Sequence, residues 1–206
     1  MLAALALVLA LAPAAEPSPA STAFVLDVEP NHSTVGFAVP IVAGMTRVTG
    51  KFNRFDVRIV YDPNDLGRCR VDATIDAASV QTGIDARDAD LRGDKFFAVG
   101  RYPTLRFTSR RVERRADGYV AIGELAMRGV TRPLELPFRV TAVTWDEGRP
   151  RLGISARLVV DRRGYGVGTD WRHTVIPNFV GDDVSIEIDL WTKAGRPLPP
   201  AEEDRR

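Results

Sequence analysis

The sequence contains little of what most catalytic and metal centres require. It has one cysteine, Cys69, and two histidines, His32 and His173, among 206 residues. A single cysteine can form neither an intramolecular disulfide nor a thiolate metal site, and two distant histidines supply too few ligands for zinc. The sequence also lacks a G-x-S-x-G motif and a phosphate-binding loop. We therefore predict no metal and no other cofactor, and we expect Cys69 to be a small buried residue in a strand.

A net charge is also nearly absent. The 28 lysines and arginines are balanced by 27 acidic residues, which gives a formal net charge of +1. A nucleic-acid-binding protein would need a net basic face. The composition therefore excludes nucleic acid as a partner.

Long apolar runs are absent except at the N-terminus, where Leu2 to Leu11 contains only Leu, Ala and Val. This run is too short to span a bilayer as a helix, and the small residues that follow it are typical of a signal-peptidase site. A basic segment before the run is missing, and no lipoprotein cysteine follows it. We predict a signal peptide over residues 1–15 and a periplasmic or secreted protein.

Both ends of the mature chain have compositions that are typical of disorder. Residues 16–23 contain two prolines, and residues 193–206 combine three prolines with a run of charges. Neither segment can bury enough apolar surface to order itself. We predict a flexible lead-in over 16–23, one domain over 24–192 and a disordered tail over 193–206.

The domain consists of short segments in which apolar and polar residues alternate. The segment from Cys69 to Asp76 shows the pattern clearly, and eight to ten such segments are joined mostly by hairpin-length turns. A flat sheet of this size would expose long edges, so two packed sheets or a closed barrel remain. The small residues Gly50, Ala73 and Ala156 on the apolar faces favour a barrel, whose interior needs room.

One stretch, from Thr82 to Phe107, breaks the alternation. Thr82 is predicted to cap a short helix that ends at Gly93, and Phe96 and Phe97 then place two aromatic rings side by side. We predict that this stretch is a lid over one end of the barrel. The two rings either pack the barrel end or contact a ligand.

A glycine-rich excursion from Gly164 to Gly181 interrupts the strands near the C-terminus. Arg162, Arg163 and Arg172 flank it or lie within it. If the excursion borders the mouth of the barrel, these arginines are placed to meet a charged headgroup.

The order and spacing of several short motifs resemble the YceI-like family of secreted bacterial proteins over nearly the whole domain. The residues that carry the resemblance are His32, Ser33, Val35, Phe37, Gly50, Phe52, Ser79 to Gly83, Arg87, Asp88, Leu91, Phe96, Phe97, Tyr102, Pro103, Phe107 to Ser109, Gly123 to Leu125, Gly129 to Thr131, Arg163, Gly164 to Gly166 and Gly181 to Val184. The family usually has a histidine where this chain has Asp90, and a second one near Pro40 or Ile41. A polar role at these positions can therefore differ in this chain.

The resemblance implies an all-β fold, a lipocalin-like antiparallel up-and-down β-barrel of about eight strands, with a short helix and loop near residues 78–100. It also implies that the hollow binds a long-chain isoprenoid lipid, such as a polyprenyl phosphate or an isoprenoid quinone, which is exchanged through transient contact with a membrane. It leaves both a monomer and a homodimer open. The residues predicted to face this ligand are Phe37, Val39, Phe52, Val57, Ile59, Val71, Ile75, Leu91, Phe96, Phe97, Leu105, Phe107, Leu136, Phe138, Ile154, Leu158, Ile186 and Ile188.

Two other functions remain open at this point. One is an enzyme that acts on an isoprenoid or a quinone, with His32, Asp88 or His173 as the acid or base. The other is a stress-related structural or partner-binding protein whose barrel is filled by its own side chains. We find no catalytic constellation in the sequence and predict that the protein is not an enzyme.

Overall fold

A computed structural model describes residues 23–199, which form one antiparallel sheet of twelve strands and one α-helix. The predicted signal peptide, most of the predicted lead-in and the residues from 200 onward lie outside the described residues. In chain order the elements are β1 (Phe24–Asp27), β2 (Thr34–Ile41), β3 (Thr46–Phe52), β4 (Phe55–Tyr61), β5 (Arg70–Asp76), β6 (Val80–Gln81), α1 (Asp85–Arg92), β7 (Thr104–Arg115), β8 (Gly118–Met127), β9 (Val130–Asp146), β10 (Arg149–Asp161), β11 (Asp183–Trp191) and β12 (Arg196–Pro197).

The twelve strands form a wall of eight segments. Four segments are the single strands β7, β8, β9 and β10, and the other four are pairs of strands that follow each other in line: β1 with β2, β3 with β4, β5 with β6, and β11 with β12. A short interruption separates the two members of each pair, such as Asn53 and Arg54 between β3 and β4. This confirms the predicted up-and-down barrel of about eight strands.

The wall is closed because each segment pairs with the next and the last pairs with the first. The segment β3–β4 pairs with β2 and β1 on one side and with β6 and β5 on the other. From β5 the pairing continues through β7, β8, β9 and β10 to β11. β11 then pairs with β2, and β12 pairs with β1. No large exposed edge remains along the main wall, which is how barrels avoid edge-to-edge association.

The first part of the predicted tail is ordered, which corrects the predicted end of the domain at residue 192. The Lys193 amide donates to the Asp27 carbonyl at 2.9 Å, and the Leu198 amide donates to the Ala23 carbonyl at 2.9 Å. The composition of this segment predicts disorder, but the edge of β1 supplies its backbone partners. β1 is therefore paired on both sides, and Ala23, placed in the lead-in by the sequence, is buried.

The helix lies where the sequence predicts one, between β6 and β7, although its cap differs from the prediction. The N-cap residue is Ile84, and it makes no side-chain capping bond. Thr82, the predicted cap, instead contacts the carboxylate of Asp88 inside the helix. Of the described residues, none belongs to a helix that is long and apolar enough to cross a bilayer.

Candidate functional site

The barrel encloses a cavity of about 420 Å³. Its lining is almost entirely aliphatic and aromatic, and it includes side chains from every segment of the wall and from the helix. A volume of this size lies within the usual range of pockets that bind small molecules. The barrel is therefore not filled by its own side chains over this volume.

The residues that the sequence predicts to face a ligand all lie on the cavity wall. The described lining includes Phe37, Val39, Phe52, Val57, Ile59, Val71, Ile75, Leu91, Phe96, Phe97, Leu105, Phe107, Leu136, Phe138, Ile154, Leu158, Ile186 and Ile188. Direct contact with a ligand stays a prediction for each of them. Of the three small residues, Ala73 and Ala156 line the cavity, whereas the ring of Phe37 covers Gly50.

Aromatic side chains from the glycine-rich excursion were missed by the sequence analysis. Trp171 and Phe179 line the cavity, with their ring centroids 6.0 Å apart. Trp171 also lies 6.1 Å from Phe96 of the lid, and His173 stacks on Phe179 at 4.4 Å. The excursion therefore covers the same barrel end as the helix. The sequence showed only its glycines, because its aromatic residues follow no strand or helix period.

The lid comprises residues 82–103, because the last four residues of the predicted stretch belong to β7. A partly buried polar network holds its helix to Thr82, at the start of the lid. The Asp88 carboxylate accepts hydrogen bonds from the Thr82 amide at 2.8 Å and from the Thr82 hydroxyl at 2.5 Å. The Asp88 side chain is only 3 % exposed. Arg87 donates from Nε to the Thr82 hydroxyl at 2.7 Å and from Nη2 to the Thr82 carbonyl at 2.9 Å.

Arg92 connects the lid to the wall, and the adjacent Ser79 is hydrogen-bonded within the wall. Arg92, in the last turn of α1, donates to the carbonyls of Ala78 and Val80, both at 2.9 Å. The Ser79 hydroxyl donates to the Asp76 carbonyl at 2.7 Å and accepts from the Arg54 amide at 3.0 Å. Thr82, Arg87 and Asp88 of the motif therefore position the lid helix, whereas Leu91, Phe96 and Phe97 of the same motif belong to the apolar surface of the cavity.

The three arginines that the sequence suggested for a charged headgroup are engaged within the protein. Arg162 donates to the carbonyls of Gly181, Val167 and Val180 and pairs with Asp182 at 2.9 Å. Burial lowers the pKa of its guanidinium, and the nearby Asp182 carboxylate opposes that shift. Arg163 also pairs with Asp182, and Arg172 donates to two carbonyls of its own loop.

Two charged side chains of the lid helix line the cavity, and the sequence analysis did not predict this. Arg87 is half-buried, whereas Asp90 is exposed to solvent. Because Asp90 also lines the cavity, the cavity opens to the surface beside α1. Val143 near the other end of the barrel is also 44 % exposed and part of the lining. Each end of the cavity thus approaches the surface, and the lid end carries this charged pair.

The structure does not bring the candidate acid–base residues together. His32 lies edge-on to Trp191 in the interruption between β1 and β2, whereas His173 belongs to the excursion at the lid end. The Asp88 carboxylate accepts hydrogen bonds from Thr82 and does not line the cavity. Within residues 23–199, no group of three or more His, Cys, Asp and Glu side chains could hold a metal ion.

Cys69 is buried, as predicted, and it lies just before β5 on the cavity wall. Burial raises the pKa of its thiol, and a hydrogen bond with the backbone of Asp62 partly opposes the shift. A thiol in such surroundings is mostly protonated and reacts slowly.

Comparison with known proteins agrees with the motifs and with the fold. Residues 26–191 match the YceI-like domain. A UPF0312 protein of Yersinia enterocolitica is 32 % identical over 146 residues, which cover 70 % of this chain and 76 % of the relative.

Solved structures with the same fold include BcnA of Burkholderia cenocepacia, with a TM-score of 0.70 and 23 % identity over 81 % of this chain and 99 % of BcnA. The YCEI protein of Campylobacter jejuni has a TM-score of 0.64 and 25 % identity, over 75 % of this chain and 88 % of the Campylobacter chain. A polyisoprenoid binding domain from Saccharophagus degradans has a TM-score of 0.57 and 19 % identity, over 83 % of this chain and 98 % of that domain. The sequence match, the closed barrel and these likenesses agree, and the chain belongs to the YceI-like family.

Proposed function

We propose that this protein binds one long isoprenoid-type lipid inside the barrel and carries or stores it, without catalysing a reaction. The observation that carries the proposal is the cavity of about 420 Å³, whose wall is almost entirely apolar. Pockets of this kind bind ligands through buried apolar area and need few polar anchors. The structural neighbour that is a polyisoprenoid binding domain supports the same ligand class.

The energetics favour exchange with a membrane over permanent retention. Burying one five-carbon isoprene unit from water is worth about 4 kcal/mol, at roughly 0.8 kcal/mol per carbon. A free isoprenoid lipid, however, resides in a bilayer and is already shielded from water. The net free energy of moving it into the barrel is therefore small, which suits a carrier that loads and unloads.

The experiment that tests the proposal is organic extraction of the natively purified protein, followed by mass spectrometry. We expect one isoprenoid lipid for each chain, displaced by an added lipid of the same class. A protein that yields no stoichiometric lipid and cannot be loaded with one is not a carrier. For the enzyme alternative, His32→Ala and His173→Ala are assayed with isoprenoid quinones, and loss of turnover with intact lipid binding would favour catalysis.

The lid end is the surface proposed to contact the membrane. Three exposed apolar side chains lie there on separate segments: Met45 (83 % exposed) in the β2–β3 turn, Ile84 (53 %) before α1, and Val175 (80 %) in the excursion. The Val42 amide donates to the Phe179 carbonyl at 2.7 Å, which fixes the turn to the excursion. Insertion of such residues into a bilayer interface removes their apolar surface from water.

A vesicle flotation assay tests this contact. We expect the double variant Met45→Glu/Val175→Glu to bind lipid vesicles less and to transfer lipid more slowly than the unchanged protein. The matched control is Val159→Glu, because Val159 is 61 % exposed but lies on the outer wall of β10. Equal losses in both proteins would argue against a specific membrane-facing end.

The proposed location is the periplasm or the extracellular medium, where the predicted signal peptide would direct the chain. Cell fractionation with detection of the N-terminus of the mature protein tests it. Cleavage near residue 15 and release with the periplasmic fraction are expected, and an uncleaved protein in the cytoplasmic fraction would refute the proposal.

A further inference from the structure

We propose that His173 is a pH-sensitive switch in the glycine-rich excursion. Its neutral ring holds the tip of the excursion, residues 172–178, over the lid end of the cavity, and protonation of the ring releases the tip and speeds the exit of the lipid. This inference rests on the proposed function, since it concerns how the same cavity loads and unloads.

The first observation is how the tip is held. The amides of Val175 and Ile176 both donate to Nδ1 of His173, at 3.1 Å and 3.0 Å. Within the described residues, no other backbone amide between 172 and 178 has a hydrogen-bond acceptor. One ring nitrogen therefore accepts all the hydrogen bonds that the amides of the tip make inside the protein.

The second observation is the protonation state that these contacts require. Because Nδ1 of His173 accepts two N–H groups, it carries a lone pair, and the ring is neutral with its proton on Nε2. A protonated imidazole has an N–H on both nitrogens and accepts no hydrogen bond. Protonation therefore breaks both contacts and sets the new N–H against the two amides.

The third observation is the position of the ring beside the cavity. The half-buried His173 stacks on Phe179, with the ring centroids 4.4 Å and the planes 10° apart, and lies 6.2 Å from Trp171. Trp171 and Phe179 both line the cavity, and the tip connects them. The Val42 amide holds the Phe179 carbonyl in place. Release of the tip therefore frees Trp171 to separate from Phe179 and uncovers the lid end.

Charged groups around the ring do not explain its contacts. At the base of the excursion Arg162 and Arg163 pair with Asp182, and Arg172 donates to carbonyls of its own loop. The other charged side chains of the surrounding elements are Asp170 in the excursion, Asp161 and Asp183 at its base, Asp94 and Lys95 in the lid, Arg128 in the β8–β9 turn and Arg47 in β3. In the described range 23–199, none of these groups forms a hydrogen bond or an ion pair with the His173 ring.

The expected pH range follows from the chemistry of imidazole. Histidine is the side chain whose charge ordinarily changes between pH 5 and 8. Two neutral hydrogen bonds together change the population of a closed state by roughly tenfold or more. At pH 8 the neutral ring should keep the tip closed, and at pH 5 the protonated ring should open it by about that factor.

The test measures opening and release separately on the full-length protein. Hydrogen exchange, corrected for the intrinsic rate at each pH, should show that residues 169–179 lose protection at pH 5 while the strands keep theirs. Stopped-flow transfer of a fluorescent isoprenoid lipid to phosphatidylcholine vesicles should be about tenfold faster at pH 5 than at pH 8.

Three variants assign the effect to the ring nitrogen. In His173→Asn the side-chain carbonyl can accept from the same amides, as in an Asx turn, and it does not titrate, so release should stay slow at both pH values. His173→Ala has no acceptor, so release should be fast at both. His32→Asn is the matched control, because it removes the other histidine, and it should keep the pH dependence.

The outcomes distinguish the switch from the proposed function. A pH dependence that persists in His173→Asn, or equal protection of the excursion at pH 5 and pH 8, would overturn the switch while leaving lipid binding intact. Opening at pH 5 without faster release would also overturn it, since the tip would not control the cavity. A protein that binds no lipid at either pH would remove the proposed function, and the control of release with it.

Discussion

The buried carboxylate of Asp88 is the most informative position at which to perturb the lid. It holds Thr82 through two hydrogen bonds, and Thr82 in turn holds Arg87. The substitution Asp88→Ala removes both bonds and leaves the Thr82 amide without its acceptor in a partly buried environment. Because these contacts lie between the helix and the segment that leads to it, the damage should concentrate in the lid rather than in the barrel wall.

The magnitude follows from the number and type of bonds lost. A hydrogen bond to a charged group contributes about 1.5–3 kcal/mol, so two such bonds give about 3 kcal/mol at the lower limit. If this free energy is lost mainly from the closed lid, the population of the open lid rises roughly 100-fold. The free energy of unfolding of the whole domain should decrease by no more than the same amount.

Two measurements separate a local effect from a global one. Hydrogen exchange followed by mass spectrometry should show loss of protection in residues 85–92 while the strands keep theirs. Stopped-flow transfer of a fluorescent isoprenoid lipid to acceptor vesicles should show release that is at least about tenfold faster, if opening of the lid limits release. Asp94→Ala is the control, because Asp94 is exposed on the same lid and its carboxylate forms no hydrogen bond or ion pair with the described residues.

One combination of results would refute this reasoning. If hydrogen exchange shows an open lid but lipid release keeps the rate of the unchanged protein, the lid does not control the route of the ligand. Release would then have to occur elsewhere, and the opposite end of the cavity beside Val143 would be the next place to test.

Three further predictions concern the barrel itself. Gly50→Ala should lower the free energy of unfolding by about 1–3 kcal/mol in chemical denaturation, because its Cβ would clash with the Phe37 ring and lie 2.9 Å from the Gln81 carbonyl oxygen. Gly100→Ala, whose Cβ would meet nothing within 4 Å, is the control, and equal stabilities of the two variants would contradict the prediction. Ala156→Phe should lower the amount of lipid extracted per chain without unfolding the barrel, since it fills the cavity; unchanged stoichiometry would place the lipid elsewhere. Cys69 should react with iodoacetamide more slowly than a free cysteine at pH 8, because burial raises the pKa of its thiol, and the difference in rate should decrease as the pH rises. Reaction at the rate of a free cysteine at pH 8 would contradict its burial.

The strand pattern was predictable from the sequence because a half-buried strand fixes one face with a period of two. The side chains from Val71 to Ile75 alternate in sequence, and Val71, Ala73 and Ile75 line the cavity as the alternation requires. The same rule fails where the strand contains a bulge. The register of β9 against β10 shifts between Val140 and Ala142, so Val143 lines the cavity, and no feature of the hydropathy pattern reveals this shift.

The contacts that hold the lid could not be predicted, since they depend on tertiary geometry. Thr82 has the right residue type and position for a helix cap, but the Asp88 carboxylate competes for its amide and hydroxyl and forms a charge-assisted bond with them. The ordered segment after residue 192 was missed for a related reason. Its composition is that of a disordered tail, whereas its order comes from backbone pairing with β1, at the other end of the chain.

The pairing of β12 with β1 has a consequence for how the cavity arises during synthesis. Phe24 pairs with Pro197, and β2 pairs with β11, so the strands that close the wall are made first and last. Contacts between such distant parts of a chain form slowly, because a long loop must be ordered before they contribute. A nascent chain that lacks β11 and β12 has an open sheet rather than an enclosed volume. The cavity therefore exists only after β11 and β12 have been synthesised, and any lipid that it binds can enter only after that.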